Sequence, residues 1–100
     1  MKLAVAIAGD EAPEDAFVVW RGVDESIRKA AAAGYHGVEL ALREAAEVDP
    51  SHLAGALDAE GLEVSCISTG QVFAVSGLYF THPGRAARQQ VVEVFQGLCD

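Results

Sequence analysis

The sequence predicts an α/β fold in which short parallel strands alternate with helices. Three apolar segments begin near residues 3, 37 and 62, and a helical pattern follows each of them. No hairpin turn signal separates any two of these segments. A helix between consecutive strands returns the chain to the same end of the sheet, so we expect parallel strands joined by right-handed crossovers.

A nearly unbroken aliphatic run predicts the first strand at Leu3–Ala8. Parallel strands that are covered on both faces have this composition. A long, turn-rich segment follows at 10–22 and is predicted to be a partly ordered loop. From Val23 onward the apolar positions share one helical stripe, and Gly34 is placed as the left-handed C-cap of this first helix.

The second strand and helix have clear local signals. Apolar and polar residues alternate within Gly34–Leu42, which predicts a short strand. Asp49 followed by Pro50 predicts a helix start, because an acidic side chain caps the first free N–H groups and proline suits the first helical position. Gly61 predicts the end of this helix.

The third unit begins with a predicted strand at Leu62–Ile67, followed by a loop at Ser68–Pro83. The amphipathic helix after this loop is expected to use Thr81 or His82 as its cap. This helical pattern reaches Asp100 without an end signal. We therefore expect the sequence to be incomplete at its C-terminus.

Composition and charge restrict the class of protein. The chain is 51% hydrophobic and 22% charged, which is typical of a folded domain, and no run approaches the roughly 18 apolar residues of a membrane span. A net charge of −8 disfavours nucleic acid and anionic membranes as partners. A cytoplasmic location is expected, with Cys66 and Cys99 as reduced thiols.

The choice between two parallel folds depends on the first loop. A doubly wound nucleotide-binding fold carries G-x-G-x-x-G after its first strand, whereas this chain has AGDEAPED. A barrel of alternating strands and helices fits better, but it needs eight strands and about 250 residues. Residues 1–100 are accordingly predicted to be the N-terminal portion of one such domain, comprising the first three βα units of a (β/α)8 TIM barrel.

Three segments carry a resemblance that extends over essentially the whole chain: Ala31–Leu40 (AAAGYHGVEL), Thr69–Gln71 (TGQ) and Gly77–Pro83 (GLYFTHP). Together they resemble the sugar phosphate isomerase/epimerase family of xylose-isomerase-like TIM barrels, and most of all its 5-keto-L-gluconate epimerase group. The resemblance implies a small sugar or sugar acid as substrate. It also implies a divalent metal (Mn, Mg or Co), whose two Glu, one Asp and one His ligands lie beyond residue 100.

The reaction implied by the resemblance is proton transfer beside a ketone through a metal-stabilised enediolate. No catalytic residue or metal ligand of the family maps onto this chain, so the isolated fragment is expected to be inactive. The alternative is a non-catalytic barrel segment that functions only as an assembly or interaction module. A homo-oligomer is expected, since three strands alone leave hydrophobic sheet edges open.

Glu39 and Arg43 are candidate substrate-binding residues near the end of the second strand, where a barrel presents its functional groups. Glu39 is placed to contact a substrate hydroxyl or to support the metal site, or else to act as a structural carboxylate. Arg43 is placed to bind a substrate carboxylate, and its alternative role is a surface ion pair with Glu44 or Glu47.

The third loop supplies the other candidates for substrate binding, Thr69, Gly70 and Gln71. Together they provide a hydroxyl, a close-approaching backbone and an amide, which suits recognition of a polyol. The apolar residues at Val72–Val75 and Leu78–Phe80 are expected to form a lid or a subunit contact, or to pack against the third helix.

Trp20 and the three histidines are the remaining side chains that could contact a ligand. Trp20 in the first loop is placed either to stack on a sugar ring or to anchor its own loop. His82 is assigned mainly to the start of the third helix. His36 and His52 are expected to be exposed histidines away from the mouth of the barrel.

Overall fold

A computed structural model of the chain describes residues 1–99 and contains one parallel sheet. Four strands are hydrogen-bonded in the spatial order β2-β1-β3-β4, and every neighbouring pair runs parallel. In chain order the elements are β1 (Ala4–Ala8), β2 (Trp20–Arg21), α1 (Val23–Ala32), β3 (Gly37–Ala41), a 3-10 turn (Ala45–Glu47), α2 (Pro50–Glu60), β4 (Glu63–Ser68), α3 (Gly70–Ser76) and α4 (Arg85–Cys99). The predicted α/β class and parallel sheet are confirmed.

The predicted signals at the ends of the first two long helices are confirmed. Asp49 accepts hydrogen bonds from the backbone N–H groups of Ser51 and His52, and Pro50 occupies the first helical position of α2. Gly61 ends α2 with φ 68°, and Gly34 follows α1 with φ 89°. Glycine adopts these left-handed angles without the steric cost that a Cβ atom would add.

The main core lies between one face of the sheet and the helices α1 and α2. Side chains that alternate along β1 and β3 point into it, and the helices contribute a matching apolar stripe. Its buried members are Val5, Ile7, Ile27, Ala30, Val38, Leu40, Leu42, Leu57 and Leu62. Burying each of the larger aliphatic side chains contributes about 1.5–3 kcal/mol to folding.

The opposite face of the sheet is lined mainly by small side chains. Side chains alternate between the two faces along each strand, so β1 contributes Ala4, Ala6 and Ala8 to this face and β3 contributes Gly37, Glu39 and Ala41. In β4, Cys66 lies beside Glu39, and Ser68 lies beside Ala41. A face of this kind offers little apolar area for packing a helix. The two faces of the sheet are therefore chemically different.

The prediction of a continuous loop at Ser68–Pro83 was wrong. Gly70–Ser76 forms α3, which ends at Gly77 with φ 66°. This helix is too short to be stable by propensity alone, and it depends on packing. Val72 supplies that packing by joining Leu78 and Val91 in a second buried cluster.

The predicted cap of the last helix was also misplaced. The helix α4 begins at Arg85, because the backbone N–H of Arg88 donates to the carbonyl of Gly84. His82 instead accepts a hydrogen bond from the N–H of Gly84 through its Nδ1 atom, at 2.9 Å. His82 therefore stabilises the turn before α4 and does not cap the helix.

The first loop contains a short strand that its turn-rich sequence does not predict. Trp20 and Arg21 pair with Ile7 and Ala8 of β1, and the N–H of Val19 donates to the carbonyl of Ala6. These bonds satisfy backbone groups at the edge of β1 that would otherwise be open. Within residues 1–99, no helix is long and apolar enough to cross a membrane.

Candidate functional site

A cavity of about 270 Å³ lies where the first loop approaches the carboxyl end of the sheet. One wall is the segment Pro13–Val18, and the other is built by Ala41, Ser68 and the first two turns of α3. The carboxyl ends of parallel strands are where α/β folds bind ligands. This position makes the cavity the candidate functional site of the chain.

Gln71 is the most informative residue that lines the cavity. Only 7% of its surface is exposed, and its Nε2 atom has no hydrogen-bond partner among residues 1–99. A buried donor without a partner costs about 1–3 kcal/mol. Because this atom has almost no accessible surface, a ligand oxygen could accept its hydrogen bond only after the Gln71 side chain rotates toward the cavity.

The predicted TGQ residues separate at this point. Gly70 and Gln71 line the cavity together with Ser68. Thr69 lies on the other side, in a depression between α3 and α4 that Val72 and Phe95 also line. The structure therefore brings two of the three TGQ residues to the site, and Ser68 joins them from the end of β4.

Arg43 is engaged by carboxylates. Its Nη2 atom lies 3.1 Å from Oε1 of Glu47 and 3.5 Å from Oε2 of Glu11. The hydrogen bond that Arg43 donates to Glu47 and the charge of Glu47, with a smaller effect of Glu11, raise the pKa of the Arg43 guanidinium. A substrate carboxylate would have to compete with Glu47, and the pairing matches the alternative role expected for Arg43.

Glu39 lies on the open face of the sheet and is half-buried, but it does not line the cavity. Its neighbour on β4 is Cys66. Partial desolvation of the thiol, and then the charge and hydrogen bond of Glu39, raise the pKa of Cys66. A raised pKa lowers the fraction of Cys66 present as thiolate, which is the reactive form of a cysteine.

Trp20 packs away from the cavity. Its ring meets Tyr35 edge to face with centroids 6.3 Å apart, and it packs against the main core. This contact corresponds to the alternative in which Trp20 anchors its own loop. Sugar stacking by Trp20 is not compatible with this orientation, because the ring is held against the core.

The histidines lie outside the cavity. His52 is exposed and pairs with Asp24, with Nε2 and Oδ2 2.8 Å apart. His36 accepts a hydrogen bond from the N–H of Leu3 at the opposite end of the sheet.

Across residues 1–99, no group of three or more His, Cys, Asp or Glu side chains is placed to hold a metal ion. The resemblance places the ligands of its implied metal beyond residue 100, so none of the residues described here is assigned to hold it.

Sequence reasoning missed one wall of the cavity. Pro13, Asp15, Ala16, Phe17 and Val18 were assigned to a loop without a role. The apolar cluster that includes Phe17 and Val18 within a polar segment is the signal that could have identified it. Its position opposite Gln71 depends on the tertiary fold.

No protein-family model and no curated protein matches the sequence of the chain. Function is therefore inferred from the sequence motifs and from the geometry of the cavity around Gln71.

Proposed function

We propose that this chain is the N-terminal portion of a metal-dependent sugar or keto-acid epimerase or isomerase with a xylose-isomerase-like TIM barrel. Its role is to bind substrate, while the catalytic acids and metal ligands belong to later strands. The observation that carries the proposal is Gln71, which lines a cavity at the carboxyl end of a parallel sheet and whose buried Nε2 atom has no hydrogen-bond partner among residues 1–99. Gln71 is also the last residue of the TGQ segment that supports the family resemblance.

The sheet supports a barrel more than a doubly wound fold. The strands of the three βα units, β1, β3 and β4, are neighbours in chain order, as in a barrel. The first half of a dinucleotide-binding sheet shares this order, but it requires the glycine fingerprint that the first loop lacks. It also requires helices on both faces, whereas the open face here carries small residues and Glu39.

The cavity suits one part of a polyhydroxylated ligand. Gln71 would donate a hydrogen bond to a ligand oxygen, and the Ser68 hydroxyl can donate or accept. Asp15 on the opposite wall supplies acceptor oxygens for ligand hydroxyl groups. The aliphatic and aromatic remainder of the wall, Ala41, Phe17 and Val18, suits the C–H surface of a sugar chain.

The experiment is a titration of the isotopically labelled chain with D-gluconate, followed by the side-chain amide signals of its glutamines. We expect the Gln71 amide to shift, because Gln71 lines the cavity and its Nε2 atom has no hydrogen-bond partner among residues 1–99. The variant Gln71→Leu identifies this signal by removing it. Losing one hydrogen bond of about 0.5–1.5 kcal/mol should weaken gluconate binding about two- to tenfold.

Two controls separate the site from general effects of charge. Sodium acetate carries the same carboxylate without hydroxyl groups, and Gln90 provides a glutamine amide on the exposed surface of α4. Gluconate binding that leaves the Gln71 amide unmoved would contradict the assigned site. Equal shifts with acetate and gluconate would contradict recognition of a polyol.

A second candidate function is an assembly module, and the exposed edge of the sheet favours it. In residues 1–99, β4 pairs only with β3, and its apolar residues Val64 and Ile67 are 39% and 42% exposed. Exposed apolar strands at an edge pair readily with other strands. This function is tested by light scattering, which measures the oligomeric state, by elemental analysis, which measures bound metal, and by the gluconate titration. A stable oligomer without gluconate binding supports the assembly function, and a monomer that binds gluconate contradicts it.

A further inference from the structure

Arg21 makes two hydrogen bonds to the first loop. Its Nε atom donates to the carbonyl of Ala12 at 3.2 Å, and its Nη2 atom donates to the carbonyl of Pro13 at 2.6 Å. Among residues 1–99, no carboxylate forms an ion pair with Arg21. Its guanidinium therefore serves the loop backbone rather than a surface ion pair.

The backbone of Arg21 is itself held firmly. It belongs to β2, where it pairs with Ala8 of β1. Its carbonyl accepts a hydrogen bond at 3.1 Å from the hydroxyl of Ser26, a residue of α1 that is fully buried. The side chain thus extends from a point fixed by both the sheet and the first helix.

The loop segment that follows the two bonded carbonyls forms one wall of the cavity, opposite Gln71. Its own packing is slight, because the Phe17 side chain is fully exposed. Within the wall, the N–H of Ala16 donates to the carbonyl of Pro13 and the N–H of Val18 donates to the carbonyl of Ala16, so these bonds fix its local shape. At its end the N–H of Val19 donates to the carbonyl of Ala6, and Arg21 supplies the side-chain hydrogen bonds that hold its start.

We propose that Arg21 is a positioning residue for the ligand site: its guanidinium fixes Pro13–Val18 as the wall opposite Gln71, so that a polyol contacts both walls at once. This proposal rests on the proposed function, which supplies the class of ligand. A preformed wall favours binding because the ligand does not have to order the loop. Arg21 itself does not touch the ligand in this arrangement.

The planar fork of arginine suits this task better than a lysine does. Two N–H groups separated by a fixed geometry reach two successive carbonyls, whereas a lysine ammonium is a single point of donation. Arg21→Lys is therefore expected to keep part of the loop protection and gluconate affinity that Arg21→Gln loses. A role limited to positive charge would make Lys equivalent to Arg at this position.

The test compares Arg21→Gln and Arg21→Lys with Arg28→Gln, which removes the same charge from the exposed surface of α1. Hydrogen exchange of the amides in segment 14–18 is measured without ligand, and gluconate affinity is measured from the Gln71 amide signal. We expect Arg21→Gln to accelerate exchange in this segment and to weaken gluconate binding about three- to tenfold. Arg28→Gln should change neither quantity, and Arg21→Lys should fall between wild type and Arg21→Gln.

Each outcome decides one of the two proposals. Unchanged loop exchange in Arg21→Gln would overturn the positioning role, as would faster exchange with unchanged gluconate affinity. Absence of gluconate binding to the wild-type chain would overturn the proposed function, while the exchange data would still decide whether Arg21 holds the loop. Trp20 fluorescence shows whether Arg21→Gln is still folded. If it is not, Arg21→Lys decides the question: hydrogen exchange in segment 14–18 and gluconate affinity equal to those of wild type would overturn the role of the arginine fork.

Discussion

Glu39 and Cys66 occupy the same register position on the neighbouring parallel strands β3 and β4. Both side chains lie on the face of the sheet opposite α1 and α2. The charge of Glu39 opposes formation of a thiolate and, together with desolvation, raises the pKa of Cys66. This pair links the chemistry of the open face to an observable property, the reactivity of the thiol.

Replacing Glu39 by Gln should make Cys66 more reactive toward alkylating agents. Removing the carboxylate charge lowers the pKa of the thiol and raises its thiolate fraction at neutral pH, and the thiolate is the reactive form. The measurement is the rate of iodoacetamide labelling at Cys66 as a function of pH, determined by mass spectrometry. Cys99 in the same chain is the internal control, and a rate at Cys66 that is unchanged relative to Cys99 would contradict the coupling.

The contact between His52 and Asp24 should make the stability of the chain depend on pH. The hydrogen bond and charge of Asp24, with a smaller contribution from the charge of Asp49, raise the pKa of His52 above its usual 6.5. The folded state then binds the proton more tightly than the unfolded state. Its contribution to stability is complete below pH 6.5 and is lost as the pH rises through the raised pKa.

Urea unfolding of wild type and Asp24→Asn from about pH 5 to about pH 9 measures this contribution. The difference in unfolding free energy between the two proteins should shrink as the pH rises, and the effect should be modest because both side chains are exposed. Glu25→Gln is the control, since it removes a neighbouring charge that pairs with Lys29 instead. If the difference in unfolding free energy between wild type and Asp24→Asn stays constant over this pH range, the contact does not raise the pKa of His52.

Gly37→Ala should destabilise the sheet. A Cβ atom at this position would lie 2.6 Å from the backbone carbonyl oxygen of Glu63, so β3 and β4 would have to separate. Such a backbone displacement costs about 1–3 kcal/mol. Chemical denaturation measures the loss, and Gly9→Ala is the control because a Cβ atom there meets open space; equal stability of the two variants would refute the close approach.

Two glycines of one helix should respond oppositely to alanine. Gly61 ends α2 with φ 68°, where a Cβ atom is strained, so Gly61→Ala should cost about 1–2 kcal/mol. Gly55 lies inside α2 with open space around it, so Gly55→Ala should stabilise the chain by about 0.5–1 kcal/mol. Thermal unfolding monitored by circular dichroism measures both changes, and a shift of the same sign in the two variants would contradict the assigned end of α2.

Local signals in the sequence were sufficient where the structure is itself local. Asp49, Pro50 and Gly61 specify α2 because capping and left-handed backbone are properties of a few neighbouring residues. The apolar run at β1 and the alternation of apolar and polar residues at β3 similarly indicated strands, and the regular succession of strand and helix indicated a parallel sheet. Gln71 was also singled out, through the resemblance carried by TGQ.

Elements that depend on distant partners were not predictable in this way. The helix α3 forms where Val72 packs against Val91 of α4, and β2 forms where Trp20 and Arg21 pair with β1. A helix of 7 residues is not stable by propensity alone, and a strand of 2 residues exists only through its pairing, so contacts between residues far apart in the chain decide both structures.

The amino-acid sequence by itself determined the class of fold, the limits of α1 and α2, and the residue types at the carboxyl end of the sheet. Only the tertiary structure decided that the Nε2 atom of Gln71 is buried without a partner among residues 1–99, that Arg43 is engaged by Glu47, and that the first loop forms the facing wall. The physical reason is that burial and pairing are set by segments that meet in space. Composition and periodicity specify individual elements, whereas a cavity exists only between elements after they have packed.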